Sequence, residues 1–310
     1  MKKSIFPGGF SGLIIFCLLI GGCSKLPATH GFHIYIAFGQ SNMQGPGEVE
    51  DRDKEGISDR FQVLNVLPGI YNGENRAANW WYKAVPPLII PDRNRINWKG
   101  LPVGLTPVDY FGRTLTENTP DDIKIGVIAV ASGDLGLAAF AKDNRAVMQY
   151  YNGTASQTAR QGMDSYGRDI YGRIVETARL AMKDGVIKGI VFHQGESGVD
   201  NSSGGGWGVL LKTIYDDMLS DLGIEPDSIP ILVGQTFDGG SGSTGGDLDR
   251  ISDFIPNAHV ISSVGCEGRL EPDGVSTDNV HFGSAGIREL GRRYGVKMLA
   301  LNYCLSTVSQ

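Results

Sequence analysis

The sequence predicts an α/β protein, a three-layer α/β/α sandwich built on a five-stranded parallel sheet. Two observations favour this class. Short, almost uninterrupted apolar runs recur along the chain, as is typical of strands that are buried on both faces. Segments with apolar residues at helical spacing lie between these runs, and such alternation is typical of βαβ units.

The five strands are predicted from runs that are rich in β-branched and aromatic residues. In chain order they are HIYIAF (33–38), IKIGVIAV (123–130), GIVFHQ (189–194), PILVGQ (230–235) and AHVISSV (258–264). Sites in open parallel sheets form outside the carboxyl ends of the strands. We therefore expect the functional residues directly after these runs.

Helices are predicted over three segments, 166–185, 207–223 and 284–303. In the first, Ile170, Ile174 and Ala178 recur at helical spacing and Gly185 supplies a stop signal. The other two segments repeat this pattern. They supply the helical layers of the sandwich.

The segment from about 44 to 106 has no clear period and is rich in Pro, Asn, Arg and Trp. It is too long for a simple loop, so we expect it to carry function or small local elements. No internal repeat and no linker marks a second domain. Because a chain of this length can bury one large core, we predict a single domain over 33–306 that contains this insert.

The composition is that of an ordinary globular protein, with 41% hydrophobic residues, 20% charged residues and a formal net charge of -6. No basic stripe predicts nucleic-acid binding. The nucleotide-binding patterns G-x-x-x-x-G-K-[ST] and G-x-G-x-x-G are absent, as are H-E-x-x-H and C-x-x-C. We therefore expect neither a cofactor nor a metal.

The first residues have the pattern of an export signal. A basic start at Lys2 and Lys3 precedes an apolar stretch over 13–20, which is too short to span a membrane. The sequence LIGGCS then resembles a bacterial lipobox, which implies a signal peptide over 1–22, a lipid on Cys23 and a tether over 23–32. Ser24 resembles the outer-membrane sorting type. We expect an exported lipoprotein anchored to the outer membrane, on either face; the alternative is a plain secretory signal with an incidental cysteine.

Two cysteines, Cys266 and Cys304, remain outside this signal. An exported protein can hold a disulfide, and two cysteines permit one pairing. The alternative is two buried free thiols.

A serine follows the first predicted strand in AFGQSNMQG. Ser41 there would lie on a tight turn at the sheet's edge, where it is either a helix cap or an exposed nucleophile. The stretch is not the G-x-S-x-G elbow of α/β-hydrolases, because Met43 occupies the position of the second glycine.

An acid and a histidine lie three residues apart in DNVHFGSAGIRELGRRY (278–294). In a loop or a first helical turn, this spacing can bring Asp278 and His281 side by side. A serine nucleophile needs such a pair, a base and a carboxylate that orients it. Alone, the pair is more often a surface histidine beside a capping aspartate.

Three motifs in the same order make the chemical interpretation stronger. GQSNM (39–43), HQGES (193–197) and the DNVH block resemble the SGNH hydrolase superfamily, and within it the carbohydrate acetylesterases of the sialate O-acetylesterase and acetylxylan esterase group. The resemblance covers roughly 33–300. It implies an SGNH, flavodoxin-like fold and a serine esterase that removes O-acetyl groups from carbohydrates, such as acetylated xylan or O-acetyl sialic acid, through an acetyl-serine intermediate.

The resemblance also implies roles for individual residues. Ser41 would be the nucleophile and His281 the base. Asp278 is the expected acid, with Glu196 of the middle block as the alternative. The backbone N–H groups of Ser41 and Gly133 and the side-chain amide of Gln194 would form the oxyanion hole. Candidate substrate-binding residues are Gln40, Asn42, Trp80 and Trp81, although the tryptophans could equally pack the insert against the core.

Two other classes of function remain open at this point. One is a non-catalytic carbohydrate-binding lipoprotein on the same fold, which has no need of a complete Ser41, Asp278 and His281 set. The other is an SGNH lipase or thioesterase, which predicts an open apolar groove where this chain has polar, glycine-rich loops.

Overall fold

A computed structural model describes residues 31–97, 99–197 and 206–303. The predicted signal peptide, the lipid site at Cys23 and the tether up to residue 30 lie outside these ranges. Cys304 also lies outside them, so its pairing with Cys266, which is buried, is still a prediction. None of the helices within the described ranges is long and apolar enough to cross a membrane.

The central layer is a sheet that contains all five predicted strands. These are β1 (Phe32–Gly39), β6 (Lys124–Ala131), β7 (Val186–His193), β8 (Ile231–Gly234) and β9 (Ala258–Ile261). They are parallel to one another, in the spatial order β6-β1-β7-β8-β9. Their carboxyl ends therefore lie along one edge of the sheet, as predicted.

The prediction of five strands was wrong, because the insert adds two more. β2 (Phe61–Leu64) pairs parallel with β6, and β5 (Trp81–Lys83) pairs antiparallel with β2 at the edge of the sheet. The complete order is β5-β2-β6-β1-β7-β8-β9. β2 and β5 have four and three residues, too few to show an alternating pattern, and they were therefore not predicted.

Helices cover both faces of this sheet. Along β1, Ile34, Ile36 and Phe38 join one buried cluster, whereas Tyr35 and Ala37 join the other. This alternation follows from the two-residue period of a strand. The first cluster is completed by α6 (Ile170–Ala181) and α7 (Gly206–Leu222), and the second by α3 (Pro107–Glu117) and α8 (Ser284–Tyr303). The three-layer α/β/α class is confirmed.

Smaller elements surround the carboxyl edge of the sheet. Four are short helices and four form two antiparallel hairpins, β3 with β4 and β10 with β11. Their bounds are α1 (Ser41–Gln44), α2 (Asp51–Lys54), β3 (Gly69–Tyr71), β4 (Glu74–Arg76), α4 (Asn144–Asn152), α5 (Gln157–Ser165), β10 (Gly268–Leu270) and β11 (Thr277–Phe282).

Thr106 joins the end of the insert to α1. Its hydroxyl donates to the Met43 carbonyl at 2.8 Å and accepts from the Val108 N–H at 3.3 Å, while Asp109 accepts from the Thr106 N–H at 2.9 Å. These bonds form a capping box at the start of α3. The buried side chain of Thr106 thus caps the N-terminus of α3 and holds the turn that carries Ser41.

Replacing Thr106 by valine keeps the shape of the side chain but removes both hydroxyl bonds. We expect Thr106→Val to lower the free energy of unfolding by about 1–2 kcal/mol, because the cap is lost and the Met43 carbonyl is left unpaired. Urea unfolding measures the change. Thr106→Ser keeps the hydroxyl and is the control; equal stability of the protein and the valine variant would contradict the interpretation.

Candidate active site

Ser41 follows the carboxyl end of β1, which is the central strand of the sheet. β1 ends at Gly39 and α1 begins at Ser41. A Cβ atom at position 39 would lie 2.1 Å from the carbonyl oxygen of His193, on the neighbouring strand β7. Glycine is therefore required for the chain to turn here, and the turn presents Ser41 at the sheet's edge.

Asp278 and His281 lie on strand β11, directly before α8, and not in a loop or a helical turn as expected. In a regular strand, residues three apart point to opposite faces. Asn279 has a φ of 55°, a left-handed conformation that interrupts the regular strand. This irregularity brings the carboxylate and the imidazole to the same side.

The three side chains form one hydrogen-bonded chain. His281 Nδ1 lies 2.6 Å from Asp278 Oδ2, and His281 Nε2 lies 3.0 Å from Ser41 Oγ. Because a carboxylate only accepts, Nδ1 carries the proton and Nε2 is free to accept from the serine hydroxyl. The structure thus joins two stretches that are 240 residues apart in the sequence.

The side chain of Asn42, the residue after Ser41, holds these two distant segments together. Its side-chain Nδ2 donates to the Val280 carbonyl at 2.9 Å, and its Oδ1 accepts from the Phe282 N–H at 3.2 Å. Val280 and Phe282 are the two neighbours of His281. The amide of Asn42 therefore holds β11 in register with the serine.

The Asp278 carboxylate is held in its ionised form. Partial burial opposes ionisation, but hydrogen bonds from the His281 ring and from the backbone N–H groups of His281 and Val280 outweigh it. The pKa of Asp278 therefore lies well below its ordinary value. A charged carboxylate at this position stabilises an imidazolium on His281.

Glu196 does not contact His281, so the carboxylate beside the histidine is that of Asp278. Glu196 accepts instead from Gln40 Nε2 at 2.5 Å and from Asn42 Nδ2 at 2.6 Å. Gln40 and Asn42 are 1% and 0% exposed. Their expected role in substrate binding does not fit the structure, because both side chains are buried and bonded within the protein.

Gln194 is also turned away from the serine. Its Nε2 donates to the carbonyls of Leu135 at 3.3 Å and Ser197 at 3.1 Å, and its Oε1 accepts from the Trp207 ring at 2.7 Å. The residue is 0% exposed. An oxyanion donor needs an N–H directed at the reacting oxygen, so the expected oxyanion role of this side chain does not fit the structure.

An open pocket of about 320 Å³ lies over Ser41 and His281. Its walls come from three segments in which the sequence analysis named none of the lining residues: part of the insert, α5, and β10 with the residue that follows it. Their polar side chains are Asn94, Asn97, Lys99, Thr158, Gln161, Arg269 and Glu271. Gly133 also lines this pocket. The unusual composition of the insert was a usable signal, but nothing in the sequence marked α5 or β10.

The tryptophans expected in substrate binding lie elsewhere. The ring of Trp81 packs 4.6 Å from that of Phe32, at the amino end of β1, and its indole N–H donates to Asp184. This is the end of the strand opposite Ser41. Trp80 is 68% exposed and does not line the pocket. Trp81 therefore packs the insert against the rest of the protein, which was the alternative interpretation.

Charged side chains join the walls of the pocket to each other. Lys99 of the insert forms an ion pair with Glu271, directly after β10. Arg269 of β10 donates to the carbonyls of Pro46 and Pro102 in the insert. The two walls thus belong to distant parts of the chain and are held by charged side chains.

The chain matches the model of a known protein family over most of its length. Residues 31–300 match the model of the family described as "Carbohydrate esterase, sialic acid-specific acetylesterase". The chain belongs to this family. As a member, this carbohydrate acetylesterase is a carboxylic ester hydrolase that removes O-acetyl groups, and the resemblance stated from the sequence is confirmed.

Solved structures share the fold of this acetylesterase. NanS is 16% identical with a TM-score of 0.58, over 87% of this chain and 97% of that one. A protein from Arabidopsis thaliana is 19% identical with a TM-score of 0.56, over 86% and 98%. XAC1771, a carbohydrate acetylesterase from Xanthomonas citri, is 14% identical with a TM-score of 0.55, over 89% of this chain and 57% of that one.

The low pKa of Asp278 predicts a pH-dependent contribution to stability. A carboxylate with a depressed pKa stabilises the folded state above its unfolded pKa of about 4, and this contribution is lost as the pH falls below that value. We expect Asp278→Asn to be less stable than the unchanged protein at pH 5, with the difference shrinking towards pH 3. Denaturant unfolding at a series of pH values measures it; a difference that does not vary with pH would contradict the assignment.

Proposed function

We propose that Ser41, His281 and Asp278 are the nucleophile, the general base and the orienting acid of the deacetylation reaction. The observation that carries the proposal is the hydrogen-bonded chain from Ser41 Oγ through His281 to Asp278, at the floor of an open pocket. This order of contacts is the one that activates a serine hydroxyl in unrelated hydrolases.

The reaction follows from these contacts in two steps. Ser41 Oγ attacks the acetyl carbonyl while His281 Nε2 takes the hydroxyl proton. The tetrahedral intermediate collapses, the bond to the sugar oxygen breaks, and His281 returns the proton to the leaving alcohol. Water then attacks the acetyl-serine with His281 as base again, and acetate leaves.

The oxyanion is held by backbone N–H groups in this proposal. Ser41 and Gly133 both line the pocket, and each belongs to a turn that directly follows a strand of the sheet. Backbone donors are already in place before the reaction, so they need no rearrangement when charge develops on the carbonyl oxygen.

The substrate that we propose is an O-acetylated sugar, either acetylated xylan or O-acetyl sialic acid. Side-chain amides and a hydroxyl from Asn94, Asn97, Gln161 and Thr158 line the pocket. Such groups donate to and accept from sugar hydroxyls. This polar lining favours a glycan over the acyl chain of a lipid or thioester.

Acetate release from acetylated xylan and from O-acetylated sialoglycans tests the proposal. We expect the mature protein to release acetate from one of the two, and Ser41→Ala or His281→Ala to slow turnover by at least about 10³-fold. A small activated acetyl ester serves as a substrate without a sugar. Release that persists in Ser41→Ala would remove the serine mechanism.

Gln194→Ala separates the two accounts of the oxyanion hole. Loss of a true oxyanion donor costs about 10²–10³ in turnover, whereas we expect a much smaller change for a side chain bonded to Leu135 and Ser197. Thermal unfolding is followed in parallel, because the amide is buried. A folded variant with a 10²-fold loss at unchanged KM would restore the expected role.

We also propose that the protein is an outer-membrane lipoprotein anchored through Cys23. The support is the lipobox-like LIGGCS after a short apolar stretch. Cys23→Ala should remove acyl label from the protein and release it from the membrane fraction, while Cys17→Ala, inside the signal, should change neither. Unchanged labelling of Cys23→Ala would contradict the proposal.

A further inference from the structure

A second carboxylate and imidazole, Glu196 and His193, lie behind the turn that carries Ser41. Glu196 accepts from the side chains of Gln40 and Asn42, the residues on either side of the serine, at 2.5 and 2.6 Å. Only 10% of the Glu196 side chain is exposed. Each of its two oxygens therefore receives an amide donor in a nearly dry environment.

His193 lies beside this carboxylate and is 0% exposed. The hydroxyl of Tyr294 lies 2.9 Å from the Phe192 carbonyl, to which it donates. His193 Nδ1 lies 3.1 Å from the same hydroxyl and shares a hydrogen bond with it. Gly234 leaves the space for this contact, because a Cβ atom there would lie 2.0 Å from the hydroxyl and 2.4 Å from Nδ1.

The other ring nitrogen, His193 Nε2, faces Glu196. It lies 3.5 Å from Oε1, an ion-pair distance, and has no hydrogen-bond partner within the described residues. A neutral ring protonated on Nδ1 would direct a lone pair at the carboxylate. A carboxylate only accepts hydrogen bonds, so a proton on Nε2 makes this contact favourable.

The charge of Glu196 agrees with this geometry. Burial acts to raise the pKa of the carboxyl, but the neighbouring His193 and the amide of Asn42 outweigh it and lower the pKa below its ordinary value. The carboxylate is thus ionised and faces the imidazole ring.

We propose that His193 and Glu196 form a buried carboxylate–imidazole pair that positions Ser41 through Gln40 and Asn42. The proposal rests on the role of Ser41 as nucleophile. Asn42 extends the same network to the neighbours of His281, so the pair acts on the distance between serine and base. Both are positioning residues, since neither contacts the reacting atoms.

Glu196→Gln is the first test. In the amide one of the two accepting oxygens becomes an NH₂ donor, so the donor of either Gln40 or Asn42 would face another donor. We expect kcat to fall about 10–100-fold through misplacement of the serine, with KM within about two-fold of its original value. The acid limb of the pH–rate profile should stay in place, whereas Asp278→Asn should displace it.

Either of two outcomes of that test would overturn the proposal. An unchanged kcat in the folded variant would mean that the carboxylate does not position the serine. An acid limb displaced as in Asp278→Asn would make Glu196 an acid of the reaction itself.

A double-mutant cycle tests whether the two residues act as a unit. If they do, His193→Gln combined with Glu196→Gln should lose no more activity than the worse single variant. Losses that multiply would show two independent roles and would contradict the pair.

Nitrogen NMR of the unmodified mature protein tests this contact without any substitution. We expect Nε2 of His193 to carry a proton; a ring protonated on Nδ1 alone would overturn the pair even if the variants fail to fold. This result is independent of the proposed function. Full activity of Ser41→Ala would remove the serine mechanism while the NMR signal still reported the pair.

Discussion

The chemistry of this esterase depends on the two hydrogen bonds of the Asn42 side chain to β11. They bind the residues on either side of His281, while the backbone of Asn42 continues directly from Ser41. A serine and a histidine from opposite ends of a chain meet only if two elements stay in register. One amide therefore keeps the serine and the imidazole together at the edge of the sheet, 3.0 Å apart.

Two carboxylate–imidazole pairs surround the serine in different environments. Asp278 and His281 lie at the floor of an open pocket, where His281 can exchange a proton with a substrate. Glu196 and His193 lie inside, where no substrate reaches them. The same two side-chain types can thus serve bond breaking in one place and geometry in the other, because burial decides which groups can take part in proton transfer.

The long strands and helices could be predicted because their patterns repeat over many residues. β1, α7 and α8 fall close to their predicted bounds. β2 and β5 could not, since their pairing depends on tertiary contacts with β6. The spacing of Asp278 and His281 was the right signal, but the irregularity at Asn279 that makes it work is a backbone conformation. Motif membership could not reveal which way Gln194, Gln40 and Asn42 point, as the burial of each depends on its neighbours.

The wall of the pocket and its reactive floor come from different parts of the chain. The floor is carried by the turn after β1 and by β11, whereas the insert, α5 and β10 supply most of the residues that line the pocket. Substitutions in these outer segments can alter the shape and charge of the wall without disturbing the bonds that align the serine. Such separation lets glycan preference diverge between descendants of one ancestor while the cleavage step is inherited unchanged.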